Sequence, residues 1–201
     1  MTPWLATQSF PLKALMTLSP YVRELRARIG SARLLLPSVS VHVFDETGRL
    51  LLVQQRDDGA WSTPGGFIEP DERPADAAMR EAWEETGLVV RVDRLVGIYG
   101  GPDCIVQYPN GDETQYVIVA FGCAIVAGQL QPDNHETTAA QFWSKAEASA
   151  LPLSPWLRVR LAAVYATPNG PTFESPTWRP PGPASMRRPA TTDNRSFDPI
   201  P

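Results

Sequence analysis

The residues between Pro74 and Gly87 constrain the fold most, because they commit the chain to one helix with an unusual load of charge. Proline suits the first turn of a helix, where its missing N–H is not needed, and glycine suits the residue that ends one. At ~100° per residue, Ala75, Ala78, Met79, Ala82 and Thr86 share one side, and Glu81, Glu84 and Glu85 share another. Carboxylates spaced i, i+3 and i+4 repel one another on a bare helix, so positive charge has to compensate. The plain alternative is a solvated acidic face that Arg80 neutralises in part. A chemical role gains support from Gly65-Gly66 just upstream, since backbone without side chains approaches a ligand closely. Clustered oxygen ligands with room left for water suit Mg²⁺ and its phosphate co-ligands.

The rest of the chain supplies the setting. Val39, Val41 and Val43 alternate with Ser40, His42 and Phe44, which predicts a strand. Asp45-Glu46-Thr47-Gly48 turns it into a second strand, Leu50–Gln55. Further strands are predicted over 89–99, 104–108 and 114–126, with Pro109-Asn110-Gly111-Asp112 as the turn between the last two. Ser154-Pro155 opens a final helix reaching about Tyr165. The class is therefore α+β over 34–166. Ahead of it, 1–33 form an N-terminal extension with a helix at about 20–29: Ser19 caps it, Pro20 starts it and Gly30 ends it. Val22, Leu25 and Ile29 form its packing face, and Arg23, Arg26 and Arg28 its solvated basic side. After it, 167–201 reads as a disordered tail, because nine prolines fall between Pro168 and Pro201 among scattered apolar residues.

Composition narrows the partners. A net charge of −4 lacks the basic footprint of a nucleic-acid binder. The apolar run Tyr116–Gly128, at 13 residues, falls short of the ~18 needed for a membrane span. The N-terminus makes a poor signal peptide, and Cys104 and Cys123 read as two reduced, packed thiols. Those features point to a cytoplasmic protein with no nucleic-acid or membrane partner, and they leave monomer and homodimer both open.

The acidic helix also carries a resemblance. Gly66, Glu72, Arg80-Glu81, Ala82, Glu84-Glu85 and Gly87-Leu88 stand at the spacing of the Nudix box. Trp61-Ser62-Thr63-Pro64-Gly65-Gly66 resembles the segment leading into it, with Thr63 where leucine is usual. Asp71 stands where the family often has glycine. The resemblance implies a Nudix α/β/α sandwich with a mixed sheet. It also implies hydrolysis of a nucleoside diphosphate linked to another moiety, X, with Mg²⁺, or alternatively Mn²⁺, as cofactor. Gly66 (by its carbonyl), Glu81, Glu84 and Glu85 would form the metal shell, Glu72 would act behind it or hold an additional metal, and Arg80 would hold the glutamates in place. The general base is a box glutamate or Glu136 from a later loop, with Glu147 as the alternative. Arg56 is the candidate phosphate contact. Trp61 and Tyr108, like Tyr99 and Phe142, are candidates to stack a base or fill the core. Pro102, fourteen residues beyond Leu88, resembles a proline of ADP-ribose pyrophosphatases. The implied substrate is ADP-ribose or a nucleotide sugar. The alternatives are a (d)NTP or dinucleoside polyphosphate, and a non-catalytic regulatory module that binds a nucleotide.

Overall fold

A computed structural model describes residues 19–108, 110–166 and 170–179. It opens with α1 (Pro20–Ile29), which Ser19 caps by accepting the Val22 N–H at 3.1 Å. Strands β1 (Leu34–Val43), β2 (Leu50–Gln55) and the short β3 (Trp61–Ser62) follow. The acidic helix α2 (Pro74–Thr86) leads into β4 (Leu88–Tyr99). A 3-10 turn at Pro102–Cys104, β5 (Ile105–Gln107) and the long β6 (Glu113–Gly128) come next. The chain continues through β7 (Thr137–Trp143), a one-turn α3 (Lys145–Ala148), α4 (Pro155–Ala166) and β8 (Thr172–Phe173).

Two sheets carry these elements. The larger is mixed: β1 runs parallel to β6, β4 antiparallel to β6, β8 parallel to β4, and β5 pairs antiparallel with β6. In the smaller sheet β2 lies between β3 and β7, antiparallel to both. The pleat of β1 and β2 divides the interior in two. Val39, Val41, Val43 and Leu51 pack with Ala77, Ala78 and Ala82 of α2. On the other side Leu50 and Leu52 pack with Leu157, Leu161 and Val164 of α4. Alanines on the inner stripe of α2 let that helix lie close on the sheet.

Several expectations change here. The buried stripe of α2 runs through Ala77, Ala78, Glu81, Ala82, Glu85 and Thr86, so Glu81 and Glu85 share the alanine side rather than opposing it. Met79 lies outside that stripe and is exposed. Arg26 is not on a solvated side either: one turn from buried Val22, it reaches the β5–β6 hairpin. There it donates to the Glu113 carbonyl and Thr114 Oγ1, both at 2.8 Å, and to the Ala32 carbonyl at 2.7 Å. The segment 167–201 is not wholly without structure, because β8 extends the large sheet beside Gly97 and Ile98. Tyr99 Oη and Thr172 Oγ1 lie 2.7 Å apart, and Arg160 pairs with Glu174 at 2.6 Å. Residues 180–201 of that tail lie outside the described residues, as do 167–169. Strand β7 was not among the predicted strands, and Cys104 and Cys123 are free and buried.

Candidate active site

The loop between β3 and α2 brings backbone onto the helix. The Pro64 and Gly66 carbonyls accept the N–H groups of Val41 and Val39 at 2.8 and 2.9 Å, which pins the loop along β1. A side chain on Gly66 would meet the Glu81 carboxylate and push it from its place beside the loop. Gly65 donates its N–H to Glu85 Oε2 at 3.0 Å. The threonine found where leucine was expected has a partner: Thr63 Oγ1 lies 2.8 Å from Ser40 Oγ, which lies 3.1 Å from His42 Nε2. Asp71 holds a left-handed backbone, φ 65°, the conformation for which glycine is the default. The turn thus keeps its shape without the glycine.

Arg80 organises the acids. Its Nε and Nη2 form a fork on Glu72 at 2.8 and 2.9 Å. Nη1 reaches Glu81 at 2.7 Å and Glu84 at 2.9 Å, and Nη2 also donates to the Phe67 carbonyl at 2.9 Å. That fork holds the Glu72 carboxyl below its usual range despite partial burial. Glu81 and Glu85 behave in the opposite way. Burial pushes Glu81 up to about 7, against the pull of Arg80. Burial, then the Glu81 charge, raises Glu85 well above the ordinary carboxylate value.

A later loop completes the cluster. Asp133 Oδ1 accepts the N–H and the hydroxyl of Thr137, each at 2.9 Å, and Oδ2 accepts the Glu136 N–H at 3.0 Å. Thr137 Oγ1 also lies 3.1 Å from the Glu85 carbonyl, its single proton shared between the two acceptors, which ties this loop to the end of α2. Glu136 is thereby set close enough to raise Glu81 and Glu85 electrostatically. Its own carboxyl is raised by burial, then by Asp133, Glu84 and Asp57. Asp133 and Thr137 went unnoticed in the sequence; an Asp four residues before a Thr at a strand start is the signal that marks such a cap.

Other candidates sit elsewhere. The backbone N–H of Arg56 bonds the Glu136 carbonyl and its guanidinium the Asn134 carbonyl, so this side chain braces the Glu136 loop at the rim. Trp61 does not join the site: it is 8% exposed and packs edge-on to Trp143 in the α4 core, with ring centroids 5.3 Å apart. Tyr108 is half-buried and hydrogen-bonds the hydroxyl of Tyr116, whose ring stacks on Phe67 at 5.7 Å. Tyr99 packs against Trp156, and Phe142 against the α2 core. Pro102 begins the 3-10 turn. Glu147 belongs to the capping box of α3, bonded to Ser144, and is not near the cluster's hydrogen bonds.

The acidic set fits a divalent cation by its charge balance. Of the two buried carboxylates, Glu81 has a contact from the Arg80 guanidinium and Glu85 one from the Gly65 N–H. As they stand, no three such side chains converge on one point among the described residues, because Arg80 Nη1 lies between Glu81 and Glu84.

A family model for the NUDIX domain matches residues 34–164, and the chain belongs to the Nudix family. It is a hydrolase of that family. A MutT-like protein of Streptomyces ambofaciens is 36% identical over 133 residues, covering 65% of this chain and 73% of that protein. An ADP-ribose pyrophosphatase of Methanocaldococcus jannaschii is 30% identical over 110 residues, 53% of this chain and 62% of that one, less than two thirds of its length. Among solved structures, an ADP-ribose pyrophosphatase from Streptococcus suis superposes with a TM-score of 0.55 at 28% identity. That match covers 69% of this chain and 98% of the other.

Proposed function

We propose that this chain is a pyrophosphatase that cleaves a nucleoside diphosphate joined to a second moiety, with ADP-ribose or a nucleotide sugar as its substrate. The carrying observation is the pair of buried carboxyls, Glu81 and Glu85, beside the Gly65-Gly66 loop, with one guanidinium contact and one backbone N–H between them. A diphosphate brings more negative charge, so the two can meet only through cations, and Mg²⁺ suits an all-oxygen set that shares its shell with phosphate. Bound there, the metal supplies Lewis-acid polarisation of a phosphoryl oxygen and a more acidic water. Glu81, Glu84 and Glu85 would hold it, with the Gly66 carbonyl beside them.

The remaining roles belong to the chain. Glu72 holds Arg80 in place, and Arg80 donates to the Glu81 carboxylate. Glu136, held by the Asp133 cap, faces the same cluster and takes the proton of the attacking water; its raised carboxyl brings it nearer the neutral range that favours a general base. The names of the Methanocaldococcus and Streptococcus relatives support the ADP-ribose choice. No reading as a regulatory module is favoured, because Glu72, Glu81, Glu84 and Glu85 are all present.

The test is product analysis of the full chain with Mg²⁺ on ADP-ribose, UDP-sugars, dinucleoside polyphosphates and the (d)NTPs. AMP and ribose 5-phosphate from ADP-ribose are expected. Pyrophosphate from a triphosphate would replace this substrate class, and binding without turnover of any compound would replace catalysis with regulation.

A further inference from the structure

A groove of about 280 Å³ opens between α1 and the loop that leaves the Gly65-Gly66 turn. Tyr21 and Leu35 line one side, and Phe67, Ile68, Glu69 and Pro70 the other. Its lining is mostly apolar, and Leu35 and Tyr21 remain 63% and 42% exposed. Large apolar side chains left open together mark a contact surface. Among the described residues that line it there is no lysine or arginine to receive a phosphate, and the one charged residue is Glu69. At this volume it falls just below the ~300 Å³ at which small-molecule pockets begin, and suits a few side chains.

We infer that the occupant is the chain's own N-terminal segment, Met1–Leu18, which lies outside the described residues. Three observations point to it. The segment enters at the groove itself, because Ser19, where the described chain begins, is one of the lining residues. Its composition matches: Trp4, Leu5, Phe10, Leu12, Leu15 and Met16 stand among these residues, with Lys13 the one charged side chain. That single cation complements Glu69. The tether also favours it, since a short linker gives an effective concentration in the millimolar range and even weak apolar contacts then suffice.

The consequence reaches the active site. The groove wall Phe67–Pro70 is the stretch of loop between Gly66 and Glu72. Ile68 N–H bonds the Pro37 carbonyl at 3.2 Å, Glu69 N–H bonds Glu72 at 3.0 Å, and Arg80 holds the Phe67 carbonyl. A seated segment therefore braces the loop that positions Arg80 and Glu72.

Disulfide trapping in the full chain tests this. The native thiols Cys104 and Cys123 are buried and stay silent. Leu35→Cys is combined in turn with Leu5→Cys, Leu12→Cys or Leu15→Cys, and each pair is oxidised at low protein concentration. The expected result is a bond within one chain, formed at least about tenfold faster than when the exposed Ala150→Cys replaces Leu35→Cys. Equal rates for both pairings overturn the assignment. Bonds between two chains, rising with concentration, overturn it in favour of a second copy as occupant. Hydrogen exchange gives an independent reading. Leu12→Asp with Leu15→Asp should speed exchange of the Ile68 and Glu69 amides by about tenfold relative to wild type, and unchanged exchange contradicts the proposal.

Discussion

The cost of the site is concentrated in single side chains. Glu81 has its carboxyl raised from 4.5 to about 7 by burial, so ionising it costs on the order of 3 kcal/mol relative to the unfolded chain. For a group raised in this way, the favourable contribution is complete below pH 4.5 and is lost as pH rises through about 7. Glu85, raised by burial and by Glu81, acts in the same direction. In the presence of a chelator, Glu85→Gln should therefore melt several degrees higher than wild type at pH 8, and the gap should close at pH 5, by thermal denaturation at both pH values. A lower melting temperature for the variant at pH 8 would show that the buried charge is already compensated. Asp71 carries a different load, its φ of 65°. Asp71→Gly should keep or raise stability by up to about 1 kcal/mol, and Asp71→Ala should lower it by about 1 kcal/mol. Denaturant unfolding separates them; equal stability of the two variants would remove backbone strain from this turn.

Among elements, α1 depends on one arginine. Arg26 has its side chain 11% exposed, and its guanidinium satisfies backbone carbonyls of Ala32 and Glu113. Charge-assisted hydrogen bonds are worth ~1.5–3 kcal/mol each in context, and they are not additive. Arg26→Ala should cost about 2–3 kcal/mol, whereas Arg23→Ala, on an exposed position, should stay within ~0.5 kcal/mol. Urea midpoints at equal m-value report both, and a cost near zero for Arg26→Ala would mean that α1 is held by Val22 alone. The loop from Pro132 to Thr137 is the other element with a single organiser. Asp133 is held below its ordinary value because the backbone N–H groups of Thr137, Glu136 and His135 outweigh its burial. It fixes the backbone from which Glu136 projects.

At the scale of the whole molecule, what was legible in the sequence was whatever local chemistry decides. Pro74 and Gly87 bound α2 as expected, and the valine alternation of β1 and the turn before Leu50 stand where the pattern put them. Glu136 lies within electrostatic reach of Glu81, Glu84 and Glu85. Long-range packing was not legible. Periodicity set Glu81 and Glu85 apart from the alanine side of α2, because the Gly65-Gly66 turn that buries them, although just upstream, is laid back on the helix only by its bonds to β1. Arg26 read as a surface cation because its acceptors lie 87 residues away in the hairpin. Strand β8 was hidden among prolines, since its pairing with Gly97 and Ile98 depends on the edge offered by β4. Trp61 was ambiguous for a related reason: an aromatic side chain serves a core and a nucleobase equally well until its neighbours are known.

We propose that the buried carboxylates of α2 would hold a divalent cation at which a diphosphate is cleaved. The most direct measurement is ADP-ribose turnover by the full chain, wild type against Glu85→Gln, each with Mg²⁺ and with excess chelator. Chelation should abolish wild-type turnover and Mg²⁺ should restore it. Glu85→Gln should lose at least ~100-fold, the upper end of the loss seen when only a group behind a metal ligand is removed, while remaining folded. Turnover that survives the chelator, or that survives Glu85→Gln unchanged, would contradict the claim.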